Sequence, residues 1–238
     1  MFEHDIDALR EKGLLRVIAD RGASCGPDLP CSASRITLNG VVYLNFSSND
    51  YLGLASSPVL AEAAGQALGK FPFGAGASRL LSGGTELHRL LETKIAAFKG
   101  TESALLFNSG YHANISMIPA LAPEDGIIFS DELNHASIID GCRLSRARKV
   151  IYRHRDIGQL SQLLHKESGA RKLVITDTVF SMDGDMAPVK ELVELCAQTD
   201  GVVLYLDDAH GTGVLGKGRG ALAHFSVTPE PWIIQMGT

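Results

Sequence analysis

Apolar positions near the start of the chain recur at a loose helical period, with Ile6, Leu9, Leu14, Val17 and Ile18 set among charges between Glu3 and Asp20. The spacing predicts an N-terminal helix, followed by a hinge rich in Gly, Pro and Ser around Cys25 to Ser34. Arg35-Ile-Thr-Leu and Val41-Val-Tyr-Leu then flank Asn39-Gly40, a dipeptide that tolerates the positive φ angles of a tight turn, so a β-hairpin is expected. Ser57-Pro58 supplies a cap and a first-turn proline for a helix over Val59 to Leu68. A second helix runs from a Thr85 cap through Leu87, Leu90, Leu91, Ile95 and Phe98 to Gly100. The two helices bracket a loop from Phe71 to Gly84.

From Ser103 the pattern changes to short apolar runs: Ala104 to Phe107, Gly126 to Phe129, Lys149 to Tyr152, Leu173 to Thr176, Val202 to Leu206 and Ile233 to Met236. Stretches of helical length, such as Gln159 to His165 and Val189 to Ala197, separate most of them. Strand and helix in alternation predict an α/β fold with a mostly parallel sheet covered on both faces. Ligands of such sheets sit at the carboxyl ends of the strands. Polar clusters fall at those ends: Asn108 to His112, Ser130 to His135, Asp177 to Asp185 and Asp207 to Gly211. The sequence contains no internal repeat and no low-complexity tract.

Composition narrows the function classes. With 238 residues, of which 45% are hydrophobic, the chain can fill the core of one large domain or one and a half, and is not intrinsically disordered. A net charge of −5 argues against a nucleic-acid-binding module, which would usually be basic. No apolar run approaches the roughly 18 residues of a spanning helix, and Met1-Phe2-Glu3-His4-Asp5 is acidic where a signal peptide would be basic. A cytoplasmic protein that binds no membrane is expected. Cys25, Cys31, Cys142 and Cys196 are scattered and read as reduced thiols, with no metal site.

Two glycine motifs compete for attention. Gly211-Thr-Gly213-Val-Leu-Gly216 has the form of a dinucleotide fingerprint, but Lys217-Gly-Arg-Gly220 is a poor start for the helix that would hold a pyrophosphate. Read through Lys217 it approaches a P-loop, yet Gly218 stands where Ser or Thr must hold magnesium. Neither reading is favoured. Asp207, at the end of Val-Val-Leu-Tyr-Leu, could face a cation from a rigid strand, or simply cap the next turn. Asp207, Asp208 and His210 are also metal-ligand types, without a supporting spacing. Asn108-Ser109-Gly110 feeds a helix beginning near Tyr111, whose free amides suit a phosphate unless Ser109 merely caps it. Asn134-His135 opens another helix, where the imidazole could be a cap or a working group.

In order and spacing, Asn108-Ser-Gly-Tyr-His-Ala-Asn114, Asp131-Glu-Leu-Asn-His-Ala-Ser137, Phe180-Ser-Met-Asp-Gly-Asp185 and Asp207-Asp-Ala-His-Gly-Thr-Gly213 resemble the α-oxoamine synthases. These are pyridoxal 5'-phosphate enzymes of the fold type I aminotransferase class. Asn45-Phe-Ser-Ser-Asn-Asp-Tyr-Leu-Gly53 and Gly76-Ala-Ser-Arg-Leu-Leu81 extend the resemblance over nearly the whole chain. It implies an arm over residues 1–44 and a cofactor-binding large domain over 45–238, truncated before its final strand and a C-terminal domain. Asp207 is implied as the partner of the pyridinium nitrogen, His135 as the ring stacked on the cofactor and a substrate contact, and Ser181 and His210 as neighbours of the phenolic oxygen. Asp207, His135 and His210 form the implied catalytic set. Gly110, Tyr111 and Thr238 would hold the phosphate, and Arg16, with Arg21 as the weaker choice, a substrate carboxylate.

The branch most alike condenses L-alanine with a pimeloyl thioester, on CoA or acyl carrier protein, with loss of carbon dioxide, in biotin synthesis. A homodimer is implied. Glycine-using acyltransferases share the main motifs, and a non-catalytic subunit of a heteromeric synthase is the competing class. The family's Schiff-base lysine lies a few positions beyond the residue matching Thr238, so these 238 residues are expected to be a truncated enzyme, inactive alone.

Overall fold

A computed structural model describes residues 3–18, 34–167 and 171–238. By internal contacts the chain divides into two units, Met1–Phe71 and Pro72–Thr238. In the first, helix α1 spans Glu3–Glu11 and ends well before Asp20. Gly13 takes a left-handed φ of 66°, and the amides of Leu14 and Leu15 turn back to the Leu9 carbonyl, a helix stop in which glycine avoids a Cβ clash. Arg16 therefore lies beyond the helix expected to carry it, exposed. Arg21 and most of the Cys25 to Ser34 hinge lie outside the described residues.

The expected hairpin forms. Strands β1 (Arg35–Leu38) and β2 (Val41–Leu44) pair antiparallel, with Asn39 and Gly40 both at positive φ (51° and 79°), as a turn matched to strand twist requires. Helix α2 (Pro58–Leu68) begins at the Ser57 cap with proline in its first turn.

In the second unit, helix α3 (Glu86–Lys99) runs from Thr85 to a left-handed Gly100. It is followed by α4 (Gly110–Leu121), β3 (Ile127–Asp131), α5 (Ala136–Leu144), β4 (Arg148–Tyr152) and α6 (Ile157–Lys166). The series continues with β5 (Lys172–Asp177), α7 (Val189–Ala197), β6 (Val202–Asp207), α8 (Ala221–His224) and β7 (Ile233–Met236). Strands β4-β3-β5-β6-β7 form a five-stranded sheet, every pair parallel. One face buries Phe129, Val174, Leu204 and Leu206 against Leu160 and Leu164 of α6 and Leu192 and Cys196 of α7. The other buries Ile128, Ile175 and Tyr205 against Ile118 of α4 and Ile138 and Cys142 of α5. Neighbouring residues of a strand alternate between these cores, which is why the strands read as unbroken apolar runs. Burial pushes the Cys142 thiol up to about 11 and the Cys196 thiol to about 12, so both remain protonated.

Ala104 to Phe107, expected as a strand, pairs with none. Side chains take the place of a ladder there: the Leu106 amide donates to Glu92 Oε1 (3.0 Å), and Arg79, bonded to the same carboxylate, reaches the Leu106 carbonyl. A short apolar run does not by itself supply a backbone partner.

Candidate active site

The polar clusters gather at the carboxyl edge of the sheet. Asp177 and Asp207 end adjacent strands and stand in register. Asp207 is buried, with Oδ1 accepting the Ala209 amide (3.1 Å) and Oδ2 accepting Asn114 Nδ2 (2.7 Å). It thus caps its turn, and its second oxygen is held by a helix on one face of the sheet. Burial pushes its pKa upward, opposed by the bonds to Asn114 and Ala209 and by attraction from His135 and His210.

Asn114 organises the centre. It is fully buried in α4, accepts the Tyr205 hydroxyl at Oδ1 (2.8 Å) and donates from Nδ2 to both Asp207 and the Ser137 hydroxyl (2.9 Å). Ser137 in turn bonds Nδ1 of His135 through its hydroxyl (2.7 Å) and its amide (3.2 Å). Because the Ser137 amide donates to Nδ1, a neutral His135 ring carries its proton on Nε2. One network therefore links Tyr205, Asn114, Asp207, Ser137 and His135.

His135 is the cap of α5, exposed at the sheet edge. Its backbone amide donates to Asp177 Oδ2 (2.7 Å). Asn134, buried, bridges β3 and β5 by donating to Ser130 Oγ and the Ile175 carbonyl and accepting the Asp177 amide. Burial, with the repulsion of Asp207 next, pushes the Asp177 carboxyl up to about 7.

At the start of α4, Ser109 Oγ accepts the His112 amide (3.1 Å) and its carbonyl the Ala113 amide (3.0 Å). The Gly110 and Tyr111 amides, in the first turn, have no acceptor within the helix. A Cβ on Gly110 would sit 3.4 Å from Thr238 Cγ2, so these two expected phosphate residues are neighbours. The Tyr111 hydroxyl reaches Asp140 (3.1 Å), which raises its pKa.

Ser181 is exposed on the turn after β5, which closes on itself through Phe180 and Gly184 amides to the Asp185 and Phe180 carbonyls. The Thr178 amide fastens the base of that turn to the Asp207 carbonyl (2.8 Å). His210 follows half-buried, close enough to Asp207 to attract its charge. The structure thus brings Asp207, His135 and His210 together, sets Gly110 beside Thr238, and roots the Ser181 turn at Asp207. Arg16 belongs to the other unit.

Sequence reasoning quoted Asn114, Ser137 and Asp177 within its motifs and Tyr205 within a strand without giving them a role, and read Asp208 only as a metal-ligand type. That carboxylate is buried and accepts Lys99 Nζ (2.9 Å), Thr178 Oγ1 (2.7 Å), Thr212 Oγ1 (2.9 Å) and the Ala221 amide (3.1 Å). It anchors the 211–220 loop rather than a ligand. In that loop Lys217 adopts φ 57° within a 3-10 turn, so the glycine motif starts no long helix.

The aminotransferase class I and II family model matches residues 41–238. The 8-amino-7-oxononanoate synthase of Geobacter sulfurreducens is 50% identical over 236 residues, covering 98% of this chain and 58% of that protein. A solved serine palmitoyltransferase from S. paucimobilis with bound PLP-myriocin aldimine superposes with TM-score 0.85 at 29% identity, covering 100% of this chain and 59% of that one. The 8-amino-7-oxononanoate synthase of Francisella tularensis gives 0.63 at 35% identity, covering 76% of this chain and 50% of that one. The chain spans less than two thirds of the length of these relatives.

Proposed function

The chain belongs to the aminotransferase class I and II family, and from that premise we propose that it serves a pyridoxal phosphate-dependent condensation. In this reading L-alanine and a pimeloyl thioester, on CoA or acyl carrier protein, give 8-amino-7-oxononanoate, carbon dioxide and the free thiol, as a step of biotin biosynthesis in the cytoplasm. The choice of this reaction over a glycine- or serine-using one rests on the relatives that bear the synthase's name at about half identity.

One observation carries the cofactor reading. Asp207 is a buried strand-end carboxylate held in one orientation by Asn114 and the Ala209 amide, with His135 and His210 near enough to attract its charge. A pyridinium N–H is a cation of the right size and geometry for such a group. The Gly110 and Tyr111 amides, with the Thr238 hydroxyl nearby, form the matching anion site at a helix start. The residues present fit the group.

When bound, pyridoxal phosphate supplies an electron sink for negative charge at the amino acid's Cα. Asp207 would keep the ring nitrogen protonated, and Asn114 and the Ala209 amide hold that carboxylate in one orientation. His135, its Nδ1 fixed by Ser137, would lay its exposed ring over the cofactor and meet the substrate. Ser181 and His210 would hold the proton at the phenolic oxygen. Arg16 would bind a substrate carboxylate, and the working enzyme would be a homodimer.

The test is to extend the chain to the full length of its relatives, supply it with pyridoxal phosphate, L-alanine and pimeloyl-CoA, and measure carbon dioxide, free CoA and the ketone product. All three are expected in equal amounts. Far better turnover with glycine and a short acyl thioester would replace this reading by the glycine acyltransferase one.

A further inference from the structure

The segment after β4 carries a charge cluster that the reaction itself does not use. His154 lies with Nδ1 3.0 Å from Asp131 Oδ1 and Nε2 2.9 Å from Asp185 Oδ2. A carboxylate facing each ring nitrogen is the arrangement that a doubly protonated, cationic ring satisfies by donating from both. Arg155 adds a second cation: its amide donates to Asp131 Oδ2 (2.9 Å) and its guanidinium to Asp185 Oδ2 (2.8 Å). Two carboxylates thus face two cations. Among the other titratable neighbours, Glu132 accepts the His154 amide (2.8 Å), and Asp177 and Tyr152 both feel the charge of Asp131. The edge of the His154 ring also packs on Phe180, centroids 4.4 Å apart.

The cluster's position gives it meaning. Asp131 ends β3 and begins the loop to His135, while Asp185 closes the turn that presents Ser181. Asp131 is buried, and Asp185 Oδ1 is buried without a partner among the described residues. The turn's own bonds are few, from the amides of Phe180, Gly184 and Ala187. Arg155 holds a left-handed φ of 58°, an uncommon state for a side-chain-bearing residue that persists only when surrounding contacts fix it.

We propose that His154 is a positioning residue of the active site: gripped as an imidazolium between Asp131 and Asp185, it fixes the turn bearing Ser181 relative to the loop leading to His135, and so governs how tightly the chain holds its cofactor. The proposal rests on the pyridoxal phosphate reading for its last clause only. Both carboxylates favour the protonated ring, although burial opposes it, and the ring and Arg155 hold Asp185 below the usual carboxylate range. The grip is therefore fullest below the ordinary imidazole value and is lost as pH rises through His154's raised one.

The test compares the wild-type chain with Asp185→Asn, which removes one charge at a partly exposed position. Ring nitrogen NMR should show His154 doubly protonated at neutral pH in the wild type and released toward ordinary imidazole behaviour in the variant. Hydrogen exchange at the Phe180, Gly184 and Ala187 amides, corrected for intrinsic pH dependence, should quicken by about fivefold or more in the variant, and in the wild type as His154 loses its proton. Affinity for added pyridoxal phosphate should fall in parallel, and Asp185→Glu should restore much of it. A neutral His154 ring at neutral pH, or equal exchange in both chains, overturns the proposal. Equal cofactor affinity overturns its last clause. A wild-type chain that shows the NMR and exchange behaviour but binds no pyridoxal phosphate overturns the cofactor reading instead, and with it that clause.

Discussion

Asp207 and Asp177 stand side by side, and burial pushes both carboxyls upward. Asp207 is braced by Asn114 and Ala209 and in the proposed function faces a pyridinium. In a chain extended to the full length of its relatives, Asp207→Asn should cut cofactor affinity and turnover about a hundredfold or more, since breaking one buried charge pair costs about 3 to 5 kcal/mol. Absorbance titration with pyridoxal phosphate and carbon dioxide release check this; wild-type values would remove Asp207 from its role. Asp177 has no such cation and is raised to about 7. A carboxyl whose folded value lies above its unfolded one costs stability as pH rises between the two. Asparagine at this position still accepts the His135 amide but cannot ionise. Asp177→Asn should therefore leave stability nearly unchanged in acid and raise it above neutral pH. The gain should be roughly 1 to 3 kcal/mol, because a tenfold change in proton affinity is worth about 1.4 kcal/mol. Urea melts at acid and alkaline pH measure the difference, and equal gains at both would show that charge is not the cause.

Helices α4 and α5 pack so closely that a Cβ on Gly141 would lie 2.8 Å from both the Asn114 carbonyl and Ile118 Cδ1. Gly141→Ala should cost about 1 to 3 kcal/mol in a urea melt, the usual range for overpacking, and should also weaken cofactor binding by shifting Asn114 from Asp207. An alanine variant as stable as wild type would mean the helices separate freely. The same contrast between local and distant determinants explains what the sequence shows. The hairpin is legible because Asn39-Gly40 is its own turn chemistry, and β3, β5 and β6 because strands buried on both faces are largely apolar. The end of α1 is not, since the apolar spacing continues to Ile18 while Gly13 stops the helix. Motifs at the strand ends mark the site's edge. The Asn114 network is hidden, because its bonds join residues 93 and 91 positions apart. The available signal is a polar residue on the buried face of α4, between Ala113 and Ile118.

At the scale of the molecule, burial is unevenly shared. The sheet of the second unit holds the large buried side chains, whereas no described residue up to Phe71 is buried. Local chemistry, the turn and the helix caps, shapes that first unit without a core of its own. Its apolar side chains include Phe46, 92% exposed, and Val59, Leu44 and Tyr43; Phe73, Leu80 and Leu81 follow in the second unit. Exposed apolar surface on this scale marks interaction sites or an aggregation hazard. In the proposed function the occupant is a second copy of the chain. Sedimentation velocity should accordingly show a dimer whose fraction rises with concentration. A Phe46→Glu and Phe73→Glu double variant should shift it toward monomer without altering the circular dichroism, because both side chains are almost fully exposed (92% and 94%). Amides of β1, β2 and α2 should exchange faster in that variant than in the wild type, while those of β3, β5 and β6 stay protected in both. A wild-type chain that sediments as a folded monomer at its highest soluble concentration would sink the homodimer.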